Sequence, residues 1–196
     1  MKTLPIGIDN FEKIIAGNYY YVDKTWFIKE LLDKKGEVNL FTRPRRFGKT
    51  LNISMLQYFF ENTGDIKENR KNQALFENLA IMGAGTSYTQ HMNEYPVISL
   101  TLKSGKMSAL SSSLFKICEE LTSEFDRHRD VMDLITEEKQ EKYHRFLAQK
   151  ASLDEYSSAL KFLSEVLWEA YHKKVIILID EYDVPLENAW FSGYYG

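Results

Sequence analysis

Short, continuous apolar runs alternate with longer stretches of helical periodicity along this chain. Runs at 38–42, 97–102 and 175–179 have the length and composition of buried strands. Strands that alternate with helices pair in parallel through crossover connections, so the pattern predicts an α/β fold. Ligands then bind beyond the carboxyl ends of the strands. The helices predicted from apolar residues three or four apart cover 24–34, 51–61, 108–129, 136–150 and 153–172.

The segment 43–50, with the sequence RPRRFGKT, ends in the Gly-Lys-Thr of a phosphate-binding loop. Such a loop directs backbone N–H groups at phosphates and supplies a lysine for the outer phosphates and a hydroxyl for Mg²⁺. Gly48, Lys49 and Thr50 match these requirements. The helix predicted from Leu51 onward would turn its N-terminal N–H groups and its dipole toward the anion.

The loop departs from the general motif at its first position, where Arg43 replaces glycine. This replacement removes the residue best able to adopt a strained backbone conformation, and it adds a cation beside Arg45 and Arg46. A solvated basic turn has the same composition. The segment by itself leaves that alternative open.

A second motif follows the apolar run at 175–179, which ends directly in Asp180 and Glu181. Nucleotide enzymes hold Mg²⁺ and polarise an attacking water with carboxylates at the end of a buried strand. Asp180 and Thr50 are therefore the predicted Mg²⁺ ligands, and Glu181 is a predicted catalytic residue. A strand that merely ends at a solvated acidic turn is the alternative, but both motifs in the expected order favour the nucleotide site.

Four segments of the chain resemble the AAA-ATPase-like family of bacterial proteins, at 4–8, 20–25, 43–50 and 179–186. In that family an arginine-rich loop replaces the usual first glycine, so Arg43 agrees with the family pattern. The resemblance implies a P-loop NTPase-like three-layer sandwich with a parallel sheet, and ATP and Mg²⁺ as ligands. Longer family members often continue into a domain resembling PD-(D/E)XK nucleases. A nuclease-like C-terminal domain or DNA is therefore an implied partner in longer relatives.

The predicted site combines the loop motif with this resemblance. Lys49 and Glu181 receive catalytic roles. The resemblance also places the 20–25 segment near the nucleotide, which makes Tyr21, Asp23 and Lys24 secondary candidates. Asp23 fits equally well as the N-cap of the helix at 24–34. The residues predicted to contact the nucleotide are Arg43, Arg45, Arg46, Phe47, Gly48, Lys49, Thr50, Leu51 and Asp23.

We expect residues 1–36 to form a helical lead-in and residues 37–196 to form a P-loop AAA-ATPase-like domain that stops after the acid-bearing strand. A later strand of the sheet would then be absent. Its absence would expose the apolar side chains of Leu40, Ile177 and Ile179, or the aromatic segment after Asp183 would cover them. We therefore expect marginal stability or self-association.

Two functions follow from these expectations. The first is a Mg²⁺-dependent ATP-binding domain of an AAA-like ATPase, with hydrolysis in a complete chain. The second is a nucleotide-dependent switch or scaffold that binds ATP with little or no turnover. A DNA-binding role is a weaker third possibility, since it depends only on the nuclease domain of relatives.

Composition narrows the class of protein further. The net charge of −3 gives no general attraction to nucleic acid, so phosphate affinity must come from a local cluster of cations. Cys118 is the only cysteine, which excludes a disulfide framework. The longest aliphatic run is too short to cross a bilayer, and charged residues interrupt the N-terminal segment early. We expect a cytoplasmic protein with no membrane partner.

Overall fold

The computed structural model describes residues 2–42, 44, 47–103, 110–191 and 193. These residues belong to two compact units, Met1–Val97 and Ile98–Gly196. The boundary expected after residue 36 stays a prediction.

Helices make up the first unit. They are α1 (Phe11–Ala16), α2 (Trp26–Lys34), α3 (Lys49–Phe60), α4 (Ile66–Ala74) and α5 (Thr86–Thr89), with a 3₁₀ helix at Ala80–Ala84. Three phenylalanines form the centre of its core: the Phe76 ring lies 4.9 Å from the ring of Phe11 and 5.4 Å from that of Phe59, and all three are fully buried. This aromatic contact joins α1 to α3.

The second unit adds two strands, β1 (Val97–Thr101), which begins at the last residue of the first unit, and β2 (Ile176–Asp180). The strands pair in parallel, and the Leu102 N–H donates to the Asp180 carbonyl just beyond β1. The helices of this unit are α6 (Leu110–Arg127), α7 (Glu137–Leu147), α8 (Leu153–Ser157), α9 (Ala159–Tyr171) and α10 (Val184–Phe191), with a 3₁₀ helix at Arg129–Leu134.

The core of the second unit lies between β1 and the helices α6, α7 and α9. The rings of Phe125 and Phe146 stack at 4.3 Å, and Ile98 of β1 is fully buried in the same cluster. The buried Tyr143 hydroxyl donates to the main-chain carbonyls of Phe125 and His128, so this polar group is satisfied within the core.

The α/β class and the two strands predicted at 97–102 and 175–179 are confirmed. The helix predicted at 136–150 is confirmed with shorter bounds. The helix predicted at 108–129 is confirmed from Leu110 to Arg127, while 108 and 109 lie outside the described residues. The helix predicted at 153–172 is wrong in one respect, because it divides at Ser158, whose φ of −106° and ψ of 5° are not helical. The Ser158 hydroxyl there donates to the Glu155 carbonyl and ends α8.

The strand predicted at 38–42 is wrong, because these residues have no regular structure. Val38 and Leu40 are 90% and 66% exposed, so the apolar run is not a buried one. The Asn39 side chain donates to the Gly36 carbonyl, a local bond that competes with strand pairing. A strand also needs a neighbour for its backbone groups, and the described sheet contains β1 and β2 alone.

The outer face of β2 is apolar and open. Ile177 and Ile179 are 41% and 37% exposed and alternate with the buried Leu178 and Asp180. This agrees with the expected exposure. The expected aromatic cover is not seen in the described part of the chain: α10 carries the exposed residues Trp190 and Phe191, while Tyr194 and Tyr195 lie outside it.

A buried carboxylate joins α6 to β1. Glu124 is 5% exposed, and its Oε1 accepts the Ser99 N–H at 2.7 Å. Arg127 donates to both carboxylate oxygens, and the His128 Nε2 lies 3.5 Å from Oε1. Burial alone would raise the pKa of Glu124, but the bonds from His128 and Arg127, the charge of Arg127 and the Ser99 N–H together lower this pKa to about 2.

We predict that Glu124→Gln lowers the free energy of unfolding at neutral pH. In the wild type the carboxylate has a folded-state pKa of about 2, below its ordinary 4.5. Its stabilisation is therefore complete above about pH 4.5 and is lost as the pH falls toward 2, with a magnitude on the order of 2–3 kcal/mol. Urea unfolding measured between pH 2 and 7 checks this.

Glu119→Gln, on the same helix, is the matched control, because Glu119 forms only a part-exposed pair with Lys116. We expect this variant to keep the pH dependence of the wild type. Identical pH profiles for Glu124→Gln and the wild type would contradict the assignment of acid sensitivity to Glu124.

Candidate nucleotide-binding site

The phosphate-loop motif lies at the beginning of α3. Gly48 is the N-cap, with a φ of 75° and a ψ of 28° in the left-handed region, and Lys49 and Thr50 form the first helical residues. The helix thus begins two residues before the predicted start at Leu51. The first bond of the helix runs from the Asn52 N–H to the Gly48 carbonyl. Preceding N–H groups at a helix start have no partner within the helix and point toward its N-terminal end.

No acidic residue occupies the first turn of α3, and no side chain caps the helix. Helix N-termini carry a partial positive charge, and acidic side chains usually offset it. In this chain α4 has Asp65 as a capping carboxylate, and α7 has Glu137 and Glu138 in its first turn. α2 and α9 likewise lack a first-turn acid and a side-chain cap, so the N-terminus of α3 is compatible with a bound anion but is not set apart by this feature.

The far end of α3 is fixed in the core. Met55 and Phe59 are fully buried, as the predicted apolar face requires, while Leu51 is half-buried. The Ser54 hydroxyl accepts the Phe11 N–H at 3.0 Å, which holds α1 against the helix. The loop glycine is thus attached to a rigidly packed element.

Residues 21–25 form a strap alongside α3. The Tyr21 hydroxyl donates to the Met55 sulfur at 3.5 Å, and the same hydroxyl accepts the Lys24 N–H at 3.4 Å. Burial, the main cause, raises the pKa of Tyr21 to about 12, so the hydroxyl keeps its proton at neutral pH. The opposite end of the strap enters α2 at Thr25, which is completely buried.

Asp23 holds the strap in place. Its Oδ1 accepts the Thr25 N–H and hydroxyl at 2.8 and 2.7 Å, and its Oδ2 accepts the Ala80 N–H at 2.7 Å. The Thr25 hydroxyl in turn accepts the Ile81 N–H at 3.1 Å. The prediction of Asp23 as the N-cap is wrong, because Thr25 is the N-cap of α2. Both Asp23 oxygens make protein contacts, and its role at the nucleotide stays a prediction.

Lys24 extends from this strap to the loop. Its Nζ lies 3.8 Å from the position that a Cβ on Gly48 would occupy, and among the described residues no other heavy atom beyond the chain neighbours lies within 4 Å of that position. The space at Gly48 would therefore admit a methyl group. The left-handed φ, not crowding, is what favours glycine there.

The acidic motif lies in the second unit, at the carboxyl end of β2. Asp180 is 7% exposed, and its Oδ1 accepts the Glu181 N–H at 3.0 Å. Glu181 is half-buried and has a φ of 56°. Lys35 and His172 adopt this conformation at helix C-termini, where it is common, whereas Glu181 follows a strand. A non-glycine residue held there stores local strain, a feature frequent in functional sites.

The remaining predicted site residues are the loop arginines, Phe47 and the two predicted Mg²⁺ ligands. Arg43, Arg45 and Arg46 lie outside the described residues. Phe47 is 58% exposed beside the loop glycine. Within the described ranges, no group of three or more His, Cys, Asp or Glu residues is placed to hold a metal ion. The hydroxyl of Thr50 and the carboxylate of Asp180 are hard oxygen donors, which suit Mg²⁺.

Thr25 is the residue that sequence reasoning missed. It connects the strap to the 3₁₀ helix at Ala80–Ala84 through its hydroxyl. A sequence signal for it exists, since an aspartate commonly accepts the N–H of the residue two positions later. Asp23 and Thr25 have that spacing.

The family model described as Predicted AAA-ATPase matches residues 5–195. The chain belongs to this AAA-ATPase-like family. A curated relative, "Uncharacterized protein in vnfD 5'region" of Azotobacter chroococcum mcd 1, is 30% identical over 189 residues. The match covers 94% of this chain and 30% of the relative, so the chain spans about a third of that protein's length. No solved structure matches the chain significantly.

Among the described residues, none of the helices combines the length and the apolar character needed to span a bilayer.

We predict that Gly48→Ala lowers the free energy of unfolding by about 1–2 kcal/mol, because alanine is strained in the left-handed region. Gly7→Ala measures this backbone cost alone and should lower the free energy of unfolding to a similar extent, since Gly7 has a φ of 76° and no described heavy atom within 4 Å of the added Cβ. Thermal melts of both variants check the prediction. Full stability of Gly48→Ala would mean that the loop glycine does not hold this conformation.

Proposed function

We propose that this chain is a Mg²⁺-dependent ATP-binding P-loop domain of an AAA-like ATPase. The observation that carries the proposal is the left-handed Gly48 at the start of α3, followed by Lys49 and Thr50 in a first turn without acidic residues. Backbone N–H groups and a positive dipole at such a position bind phosphate oxygens. Membership of the family supports ATP as the nucleotide.

Each candidate residue has a role in this proposal. Lys49 binds the outer phosphates as a point charge. The Thr50 hydroxyl and the Asp180 carboxylate hold Mg²⁺, which supplies neutralisation of developing phosphate charge when bound. Glu181 accepts a hydrogen bond from the attacking water and orients it. The three loop arginines, with Phe47 and Leu51, complete the proposed contacts around the phosphates.

ATP hydrolysis places a stricter requirement on the phosphate loop than ATP binding alone. A hydrolytic site needs a loop held in the catalytic geometry before the reaction begins. Residues 38–42 lead into the loop without a strand, and Val38 is almost fully exposed. This irregular entry favours the second candidate, a nucleotide-dependent switch or scaffold with little turnover.

The larger assembly is also a proposal. In a longer protein the sheet would extend into the P-loop three-layer sandwich, and a nuclease-like domain or DNA would be its partner. The exposed apolar side chains of Ile177, Ile179 and Trp190 support self-association of this chain.

We predict that Lys49→Ala weakens Mg·ATP binding by about ten-fold or more, because a charge-assisted contact to phosphate is lost. Titration calorimetry measures the change. Lys67→Ala is the matched control, since Lys67 is an exposed lysine in the first turn of α4. Equal affinities for Lys49→Ala and the wild type would exclude the loop from the site and favour the basic-turn alternative.

The next prediction separates an ATPase from a switch. Glu181→Gln keeps the shape of the side chain but removes the base, so Mg·ATP binding should persist while turnover falls by roughly a hundred-fold or more. Phosphate release by the wild type, by this variant and by Glu141→Gln as a surface control provides the measurement. A wild type that binds ATP yet releases no phosphate above the blank would establish the switch for this chain.

A further inference from the structure

The C-terminal end of α3 is held by a short segment that lies more than thirty residues later in the chain. The last four carbonyls of a helix have no partner within it. In α3 these carbonyls belong to residues 58–61, since the Glu61 N–H donates to the Gln57 carbonyl. The Tyr95 N–H donates to the Phe60 carbonyl at 3.0 Å. The other three carbonyls accept hydrogen bonds from one residue.

Asn93 is that residue. Its side-chain amide donates to the carbonyls of Tyr58 at 3.2 Å and Glu61 at 2.8 Å, and its N–H donates to the Phe59 carbonyl at 2.7 Å. Asn93 is 5% exposed and has a φ of 54°, a left-handed conformation that asparagine adopts more readily than most residues do. Asn93 and Tyr95 together form what we call the C-terminal clamp of α3.

The Asn93 side chain is satisfied at its nitrogen but not at its oxygen. Within the described ranges its Oδ1 is buried and has no hydrogen-bond partner, so burial of this amide carries a desolvation cost that is not recovered. An amide that served stability alone would pair both of its polar atoms. The main contribution of Asn93 is therefore the geometry that its N–H groups impose on the helix end.

A small change of direction at the C-terminal end of α3 becomes a larger displacement at the phosphate loop. The helix has 12 residues, so it is about 18 Å long, and a tilt of roughly 3° moves its first turn by about 1 Å. Hydrogen bonds depend steeply on direction, whereas the apolar contacts of Met55 and Phe59 are non-directional. The clamp is accordingly a directional constraint on the helix end opposite Gly48.

We propose that Asn93 is a positioning residue for the phosphate-binding N-terminus of α3. This inference rests on the proposed ATP-binding function, and it adds a residue from outside the 20–25 and 43–50 segments. A displacement of about 1 Å would lengthen an N–H bond to a phosphate oxygen beyond hydrogen-bond range. By linkage, bound ATP must favour the closed clamp by the same factor by which the closed clamp favours ATP.

Titration calorimetry of Mg·ATP into Asn93→Gly tests the proposal, because glycine keeps the left-handed backbone and its N–H but removes the side-chain amide. Tyr143→Phe is the matched control, since the buried Tyr143 hydroxyl also donates to two main-chain carbonyls, those of Phe125 and His128. Both variants should lose stability to a similar extent. At a temperature where both are fully folded, we expect Asn93→Gly to bind Mg·ATP about ten-fold more weakly and Tyr143→Phe to keep the affinity of the wild type.

Hydrogen exchange of the wild type provides a readout that needs no variant. Saturating Mg·ATP should slow the exchange of the Asn93 and Tyr95 N–H groups by about ten-fold, while the Ala148 N–H, at the end of α7, should keep its rate. Wild-type affinity in Asn93→Gly, an equal loss in Tyr143→Phe, or exchange that slows no more at the clamp than at Ala148 would overturn the role of Asn93 and leave the proposed function intact. Failure of the wild type to bind Mg·ATP would overturn both.

Discussion

The left-handed backbone at Gly48 is the constraint on which the candidate site depends. It determines where α3 begins, and thereby where the helix N-terminus faces and which side chains occupy its first turn. The packing of Met55 and Phe59 then holds that terminus in place. The backbone conformation of Gly48 thus sets where α3 begins, and the hydrophobic core around Met55 and Phe59 fixes the direction in which the helix N-terminus points.

The sequence predicted the elements whose patterns are local. The strands at 97–102 and 175–179 and the long helices of the second unit have strong periodicity, and the structure forms them. The run at 38–42 looked like a strand by the same criteria but pairs with no other strand among the described residues. Pairing is a non-local property, and composition alone does not encode it.

The candidate site, like the fold, could be predicted from the sequence only in part. Gly48, Lys49 and Thr50 form a contiguous motif, so their placement at a helix start could be inferred. The anchoring of the strap at 21–25 could not, because it depends on hydrogen bonds that Asp23 and Thr25 accept from backbone N–H groups more than fifty positions later. Contacts of that range follow from the fold, and no spacing rule identifies them.

The Glu124 carboxylate also determines at which edge a further strand could join the sheet. Since the Ser99 N–H donates to Glu124, the backbone of β1 at this position is occupied by a side chain and is closed to an incoming strand. In the described sheet β2 pairs with β1 alone, so its other edge carries no strand. A further strand would consequently join the sheet at β2, so the acid-bearing strand becomes central while β1 remains a protected edge.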